Sequence, residues 1–183
     1  MRFDFVPFFH PGQNIPWTQT LDYMRQQTQL AEDAGFTTVW VTEHHFAHNG
    51  YLNAPPNPIL VCADLALHSN TIRVGQAPVV LPDWHPLRVA EDIAMLDNMT
   101  DGRVGFGVAR GIPERASIQF NPEADKRDGD KSFRIMRESL DIILKAWTQV
   151  PFSYQGEFYQ FPVPGWKEAN QFLPYLEEMN DGK

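Results

Sequence analysis

Four side chains that can exchange protons lie within six residues, directly after a run of strand-forming residues. Residues 37–41 are β-branched or aromatic and predict a buried strand, and Glu43, His44, His45 and His48 follow it. Active-site side chains of parallel α/β folds come from the carboxyl ends of their strands. Because imidazole has a pKa of about 6.5, the cluster indicates proton transfer near neutral pH.

Two other interpretations compete with acid–base catalysis. His44, His45 and His48 could together bind a metal ion, but adjacent side chains on an extended chain point in opposite directions. His44 and His45 would therefore rarely share one ion, and we expect no metal. A solvated loop with incidental histidines is the other possibility, and the density of the cluster favours a functional site over it.

The pattern of apolar residues predicts four strands, each followed by a helix. The expected strands are residues 3–6, 37–41, 72–81 and 104–109, and the expected helices begin near residues 16, 58, 86 and 132. Strict alternation of strand and helix predicts a parallel sheet with right-handed crossovers, and we expect its four strands to lie in the order of the sequence. A polar loop is expected before the last helix, and a hairpin over residues 152–161, turning at Gln155 and Gly156, is expected after it.

The third predicted strand contains a proline. Residues 72–81 are apolar along most of their length, as expected of a strand covered on both faces. Pro78 cannot donate a hydrogen bond to a central ladder. We therefore predict either a β-bulge or a cis peptide at Pro78.

Length, charge and cysteine content narrow the class of protein. The chain has 183 residues, a formal net charge of −8 and a single cysteine, Cys62. The length suits one domain, and the negative charge argues against nucleic acid or an anionic membrane as partner. One cysteine permits no internal disulfide, and no apolar run approaches the roughly 20 residues that span a bilayer. We expect a cytoplasmic protein without a membrane segment.

Three motifs carry a family likeness. TEHHF at residues 42–46, VGQAPVVLPDWHPLRVAEDIAMLDNMTDGR at 74–103 and FGVARG at 106–111 together strongly resemble the bacterial-luciferase-like flavin-dependent monooxygenases. The resemblance extends over residues 1–161. It implies a (β/α)8 TIM-barrel-type fold, reduced FMN as cofactor, and O2 and a small organic molecule as substrates. A flavin reductase is then a possible partner.

The resemblance also assigns roles to individual residues. It makes His44 the catalytic residue that transfers a proton beside the flavin, with Glu43 or His45 orienting it. It implies that the Ala77–Pro78 peptide is cis and lies close to the flavin. Arg110 is expected to pair with the phosphate or the electron-rich ring edge, and Gly111 to permit close approach of the backbone. Ala109 stands where the luciferases proper carry a reactive cysteine, so light emission is not implied.

The chain is short for the family. A complete (β/α)8 barrel takes about 250 residues, so we expect this chain to supply only the first four βα units and the small hairpin. Residues 1–161 would form the N-terminal half of the barrel and residues 162–183 a divergent tail. The sequence thus predicts a flavin-dependent monooxygenase that is incomplete in this chain. The alternative is a non-catalytic half barrel that associates with another chain.

Self-association is expected on the second and third helices. The resemblance implies a dimer there, which would make the protein a homo- or hetero-oligomer. Four small residues, Ala63, Ala66, Ala90 and Ala94, would allow helices to approach closely. These alanines could equally pack on the sheet.

Overall fold

A four-stranded parallel sheet organises the fold. The computed structural model describes residues 3–7, 15–46, 55–112 and 114–164. The strands are β1 (Asp4–Phe5), β2 (Thr38–Val41), β3 (Arg73–Val80) and β4 (Val104–Ala109). They lie in the order β1-β2-β3-β4, and every neighbouring pair is parallel. The predicted α/β class and strand order are confirmed.

Helices follow each strand and run back along the sheet. They are α1 (Trp17–Asp33), α2 (Pro58–Leu67), α3 (Pro86–Met99), α4 (Glu114–Phe120) and α5 (Gly129–Thr148). Local sequence explains where two of them begin. Asn57 caps α2 by accepting a 3.0 Å hydrogen bond from the Leu60 N–H, and Asp128 caps α5 by accepting one of 3.0 Å from the Lys131 N–H. None of the helices in the described ranges is both long and apolar enough to cross a membrane.

One face of the sheet is covered by helices. Val39, Val41 and Val74 project from it and are almost completely buried. They belong to a core whose other members include Met24, Ile59, Cys62, Leu65, Val89, Ile93, Leu96 and Ile143. Burying a side chain of this size contributes about 1.5–3 kcal/mol, so this layer is the main source of the fold's stability.

The opposite face of the sheet is built from small residues around one tryptophan. The Trp40 ring lies over Gly75 and Gly105, where an added Cβ would stand 2.5 Å and 2.8 Å from ring carbons. Its indole N–H donates a 3.2 Å hydrogen bond to Asp4. Glycine is needed at both positions because any side chain would occupy the space of the ring.

The β-bulge and the cis peptide, predicted as alternatives at Pro78, are both present. The Ala77–Pro78 peptide is cis. The register between β3 and β4 shifts between Gln76 and Val79, so β3 holds one more residue there than its partner. The bulge leaves this part of β3 unpaired, so a proline, which has no N–H to donate, can sit in a central strand there.

Two parts of the sequence prediction are wrong around α5. The segment predicted as a polar loop contains α4 and a 3₁₀ turn, Pro122–Ala124, and α5 begins at Gly129 rather than near residue 132. Ala116 and Ser117 of α4 are buried, so tertiary packing stabilises a helix too short to be recognised from periodicity.

The hairpin exists, but its turn lies elsewhere than predicted. Its strands are β5 (Tyr154–Gln155) and β6 (Gln160–Phe161), and Gln155 pairs with Gln160. The connection is therefore residues 156–159, not Gln155 and Gly156. The Glu138 carboxylate of α5 explains the longer turn, because it accepts hydrogen bonds from the backbone N–H groups of residues 157, 158 and 159.

The alanines proposed for self-association divide between core and surface. Ala66 and Ala90 are 6% and 4% exposed and pack in the core, whereas Ala63 and Ala94 are half-buried. The large exposed residues of the two helices are instead Leu60, Leu67, Met95 and Met99.

Candidate active site

The Glu43 carboxylate connects the carboxyl end of β2 to the segment that follows β3. One oxygen accepts a 3.0 Å hydrogen bond from the Trp84 indole and lies 2.8 Å from Nε2 of His45. The other accepts a 2.9 Å hydrogen bond from the backbone N–H of Val80. The side chain is completely shielded from solvent. A buried carboxylate needs such donors, because an unpartnered charge there would be very costly.

The two adjacent histidines have different surroundings. His45 is held by Glu43, and its ring meets Phe120 of α4 edge to face with centroids 4.8 Å apart. Phe46 stacks on the same phenylalanine at 5.5 Å. His44 is half-buried, and its backbone N–H donates a 3.0 Å hydrogen bond to Pro55. The structure thus brings Glu43 together with His45, while orientation of His44 by either residue stays a prediction.

A buried ion pair lies beside this network. Lys126 Nζ is 3.4 Å and 3.3 Å from the two carboxylate oxygens of Asp83, and the two side chains are 2% and 1% exposed. Burial raises the pKa of Asp83, and the attraction of Lys126 opposes that shift. Burial likewise lowers the pKa of Lys126, and Asp83 opposes it. The Glu43 charge adds to the rise of the Asp83 pKa and opposes the fall of the Lys126 pKa.

Arg110 and Gly111 end β4 next to that ion pair. The Arg110 guanidinium donates to the backbone carbonyl of Lys126 at 3.5 Å. Gly111 has φ +78°, and an added Cβ would stand 2.6 Å from Val80 and 2.7 Å from Lys126 Nζ. A side chain at Gly111 would therefore collide with Val80 and Lys126, and a role for Gly111 in binding a cofactor stays a prediction.

An open pocket of about 530 Å³ lies where Arg110 meets the first turn of α5. It is lined by Arg110, Gly129, Asp130, Phe133 and Arg134. The Arg110 guanidinium suits a phosphate, because it offers paired N–H donors to phosphate oxygens. Arg134 already donates from Nε and Nη2 to the Glu157 carboxylate. Asp130 is the one lining group that would repel an anion.

The predicted site residues gather at one edge of the sheet. Glu43 and His44 follow β2, Ala77 and Pro78 lie in the last part of β3, and Arg110 follows β4. Parallel strands present their carboxyl ends on the same side, where α/β proteins bind ligands. The arrangement combines a proton-exchanging group with an anion-binding group, which suits a phosphorylated cofactor.

The metal interpretation gains no support from the residues that the structure describes. Within them, no three His, Cys, Asp or Glu side chains are grouped to hold a metal ion. His48, the third residue of the proposed set, lies outside the described residues.

Asp83 and Lys126 are residues of the site that the sequence prediction did not include. Asp83 comes directly after β3, so the criterion that selected Glu43, a titratable side chain at the end of a strand, would have found it. Lys126 carried no signal, because it lies 43 positions from Asp83 in the sequence.

Comparison with known proteins gives consistent results. The family described as luciferase-like monooxygenase matches residues 1–174. The oxygenase component of the flavin-dependent trigonelline monooxygenase of Acinetobacter baylyi is 33% identical over 163 residues, covering 88% of this chain and 43% of the relative. The alkanal monooxygenase alpha chain of the Kryptophanaron alfredi symbiont is 36% identical over 163 residues, with the same coverage.

The similarity extends to three dimensions. The oxygenating constituent of 3,6-diketocamphane monooxygenase from Pseudomonas putida, solved in complex with FMN, superposes with a TM-score of 0.75. It is 27% identical, and the match covers 87% of this chain and 43% of that protein. The chain therefore spans less than half the length of the relatives it matches.

Proposed function

This chain belongs to the luciferase-like monooxygenase family, and on that premise we propose that it supplies the N-terminal half of a flavin-dependent monooxygenase. The proposed unit is residues 1–161, forming four βα units of a (β/α)8 barrel. Support comes from the parallel order β1-β2-β3-β4 and from β4, which is partly exposed along its whole length and has β3 as its one neighbour among the described strands. The family match continues to residue 174, into the segment expected to be a divergent tail.

The observation that carries the proposal is the convergence of Glu43, Pro78 and Arg110 at one edge of the sheet. The residues there fit FMN in two respects: Arg110 offers donors for a phosphate, and the half-buried His44 stands at the carboxyl end of β2, on the same edge of the sheet. Reduced FMN, when bound, would supply the electrons that activate O2. The solved relative in complex with FMN supports this choice of cofactor.

The chain's own residues would bind the cofactor and manage a proton. His44 would accept or donate a proton at a ring nitrogen, which an imidazole can do near neutral pH. Glu43 would keep His45 in place beside it. Arg110 would hold the phosphate by charge-assisted hydrogen bonds, each worth about 1.5–3 kcal/mol. The substrate is proposed to be a small organic molecule, and a separate flavin reductase would provide the reduced cofactor.

A second copy of this chain is the proposed partner of α2 and α3. Leu60, Leu67, Met95 and Met99 are each more than half exposed, and the two leucines of α2 and the two methionines of α3 recur at helical spacing. The exposed leucines and methionines, rather than the alanines, would form the contact. Light scattering at tens of micromolar protein should show a dimer, and Leu67→Glu with Met95→Glu should give a monomer.

The alternative is a non-catalytic half barrel that associates with another chain. The same partly exposed β4 favours it, because an unpaired strand edge invites a further strand. The two proposals differ in what happens when a complementary C-terminal half barrel is co-expressed. Only the first predicts flavin-dependent turnover in the complex.

Flavin titration tests the proposal directly. The isolated 183-residue chain should quench FMN fluorescence weakly or not at all, because ligand sites usually enclose most of their ligand. Co-expression with a complementary half should give tight binding and activity. His44→Ala should then abolish turnover and leave flavin bound, whereas His68→Ala, an exposed histidine on α2's carboxyl end, should change neither. Sub-micromolar binding of FMN by the isolated chain would contradict the incomplete-barrel interpretation.

A further inference from the structure

We propose that Lys126 is a positioning residue for Arg110, holding the arginine at the pocket where its guanidinium meets α5. The inference rests on the proposed function for what Arg110 binds, but its geometric part stands on contacts within this chain. Lys126 touches the Arg110–Gly111 segment twice. Its backbone carbonyl accepts from the guanidinium at 3.5 Å, and its ammonium lies where a Cβ on Gly111 would be 2.7 Å away.

Asp83 fixes the ammonium from the other side. Both carboxylate oxygens lie within 3.4 Å of Lys126 Nζ, and Asp83 belongs to the 3₁₀ turn Leu81–Asp83 that follows β3. The contacts of Lys126 with Asp83 and with Arg110 therefore link the ends of β3 and β4 to the segment that leads into α5. Gly111 can approach the ammonium closely because it has no side chain and adopts φ +78°.

Stability alone does not account for this ion pair. Burial raises the pKa of Asp83 and lowers the pKa of Lys126, so each charged form loses favourable hydration in the fold. Buried ion pairs can often be replaced by apolar residues of similar volume without loss of stability. The ion pair fixes the direction of the side chain at position 126, which an apolar pair could not do. It thereby holds the backbone that carries Arg110.

The position of Arg110 in the pocket depends on the same contacts. Its guanidinium lies 3.7 Å from the point where Gly129, the first residue of α5, would carry a Cβ. A shift of the Gly111 backbone would move the guanidinium away from the mouth of the pocket. Recognition of phosphate by arginine depends strongly on direction, so a small displacement weakens it.

The test replaces the ion pair with an apolar pair of similar volume, Asp83→Leu with Lys126→Met. The matched control is Glu123→Gln with Lys131→Met, which removes an exposed ion pair in the same region. Affinities for FMN and for riboflavin, which lacks the phosphate, are measured by flavin fluorescence quenching on the chain co-expressed with a complementary C-terminal half barrel. The wild-type complex should prefer FMN by roughly tenfold, as expected for one charge-assisted contact. The apolar pair should reduce this preference to about twofold, and the control should retain it.

A second measurement needs no flavin. The Arg110 Nε–Hε resonance is identified in a ¹H–¹⁵N spectrum by its loss in Arg110→Lys, and its shift and hydrogen-exchange rate are compared between variants. The apolar pair should move the resonance and speed its exchange, while the control should do neither. If the apolar pair fails to fold, Asp83→Asn, which keeps an acceptor for Lys126, should cause a smaller change in the same direction.

The outcomes separate this inference from the proposed function. A folded apolar-pair variant with an unchanged Arg110 resonance and an unchanged preference for FMN would overturn the positioning role. A wild-type complex that binds FMN and riboflavin equally well would instead overturn the assignment of Arg110 to a phosphate. In that case the resonance alone decides whether Lys126 positions Arg110.

Discussion

The Trp84 indole donates a 3.0 Å hydrogen bond to Oε1 of Glu43 across 41 positions of sequence. This contact joins the end of β2 to the segment after β3, and the backbone N–H of Val80 donates to the other carboxylate oxygen. Glu43 is therefore a structural acceptor at the candidate site as well as the partner of His45.

Glu43→Gln should destabilise the fold by about 1–3 kcal/mol, the cost of leaving a buried donor without an acceptor. The glutamine side chain keeps one acceptor oxygen. Its NH2 group would face an N–H donor that had donated to the second carboxylate oxygen, and two donors cannot bond to each other. Urea unfolding measures the change. The control Glu91→Gln alters an exposed pair with Arg88 and should cost less than about 1 kcal/mol. Equal losses in the two variants would contradict the buried role of Glu43.

Gly75→Ala should cost about 1–3 kcal/mol, because the Trp40 ring occupies the space that the new methyl group needs. Gly129→Ala is the matched control, since its Cβ would meet nothing closer than 3.7 Å and alanine favours the helix there. Thermal unfolding of both variants gives the comparison. In the Trp40→Leu background, Gly75→Ala should be much less damaging, and a full additive loss would show that the two residues do not compete for space.

Glu32 makes folding sensitive to acid at the entry to β3. Although burial would raise its pKa, hydrogen bonds from Thr71, Ile72 and Asn70 outweigh this and lower the pKa from 4.5 to about 2. A carboxylate with a lowered folded-state pKa stabilises the fold above its unfolded-state pKa and loses that contribution as pH falls toward the folded value.

Glu32→Gln should therefore destabilise the chain at pH 7 by about 1 kcal/mol, a figure reduced for the solvent exposure of the carboxylate. The difference from the wild-type chain should shrink between pH 4.5 and pH 2. Urea unfolding at several pH values tests this. Asp33→Asn on the same helix serves as the control, and a wild-type advantage that persists at pH 2 would contradict the prediction.

Glu138 should control the hairpin without controlling the sheet. Its carboxylate is 8% exposed and accepts from three consecutive backbone N–H groups, at 2.9–3.1 Å. Glu138→Gln should speed amide exchange in residues 154–161 by about tenfold or more, corresponding to a lost contact of about 1.5 kcal/mol. Amides of β2 and β3 should be unaffected. Glu157→Gln, which breaks only an exposed pair with Arg134, should leave the hairpin protected.

The sequence by itself determined the order of the four strands, because each short apolar run and its following helix carry their own periodicity and stop signals. It also located Glu43 and His45 at a strand end, since their relation to β2 is local. That Pro78 needs a bulge or a cis peptide followed from what proline cannot do in a ladder, and the structure has both.

Only the tertiary structure decided which of these groups meet. The contacts between Glu43 and Trp84, and between Asp83 and Lys126, join positions about forty residues apart, and no local pattern specifies such a pair. The hairpin turn was mispredicted for the same reason, because Glu138 holds residues 157–159 from a neighbouring helix. Secondary-structure propensity depends on a few neighbouring residues. The partner of a buried charge depends on which distant residues the tertiary structure places next to it.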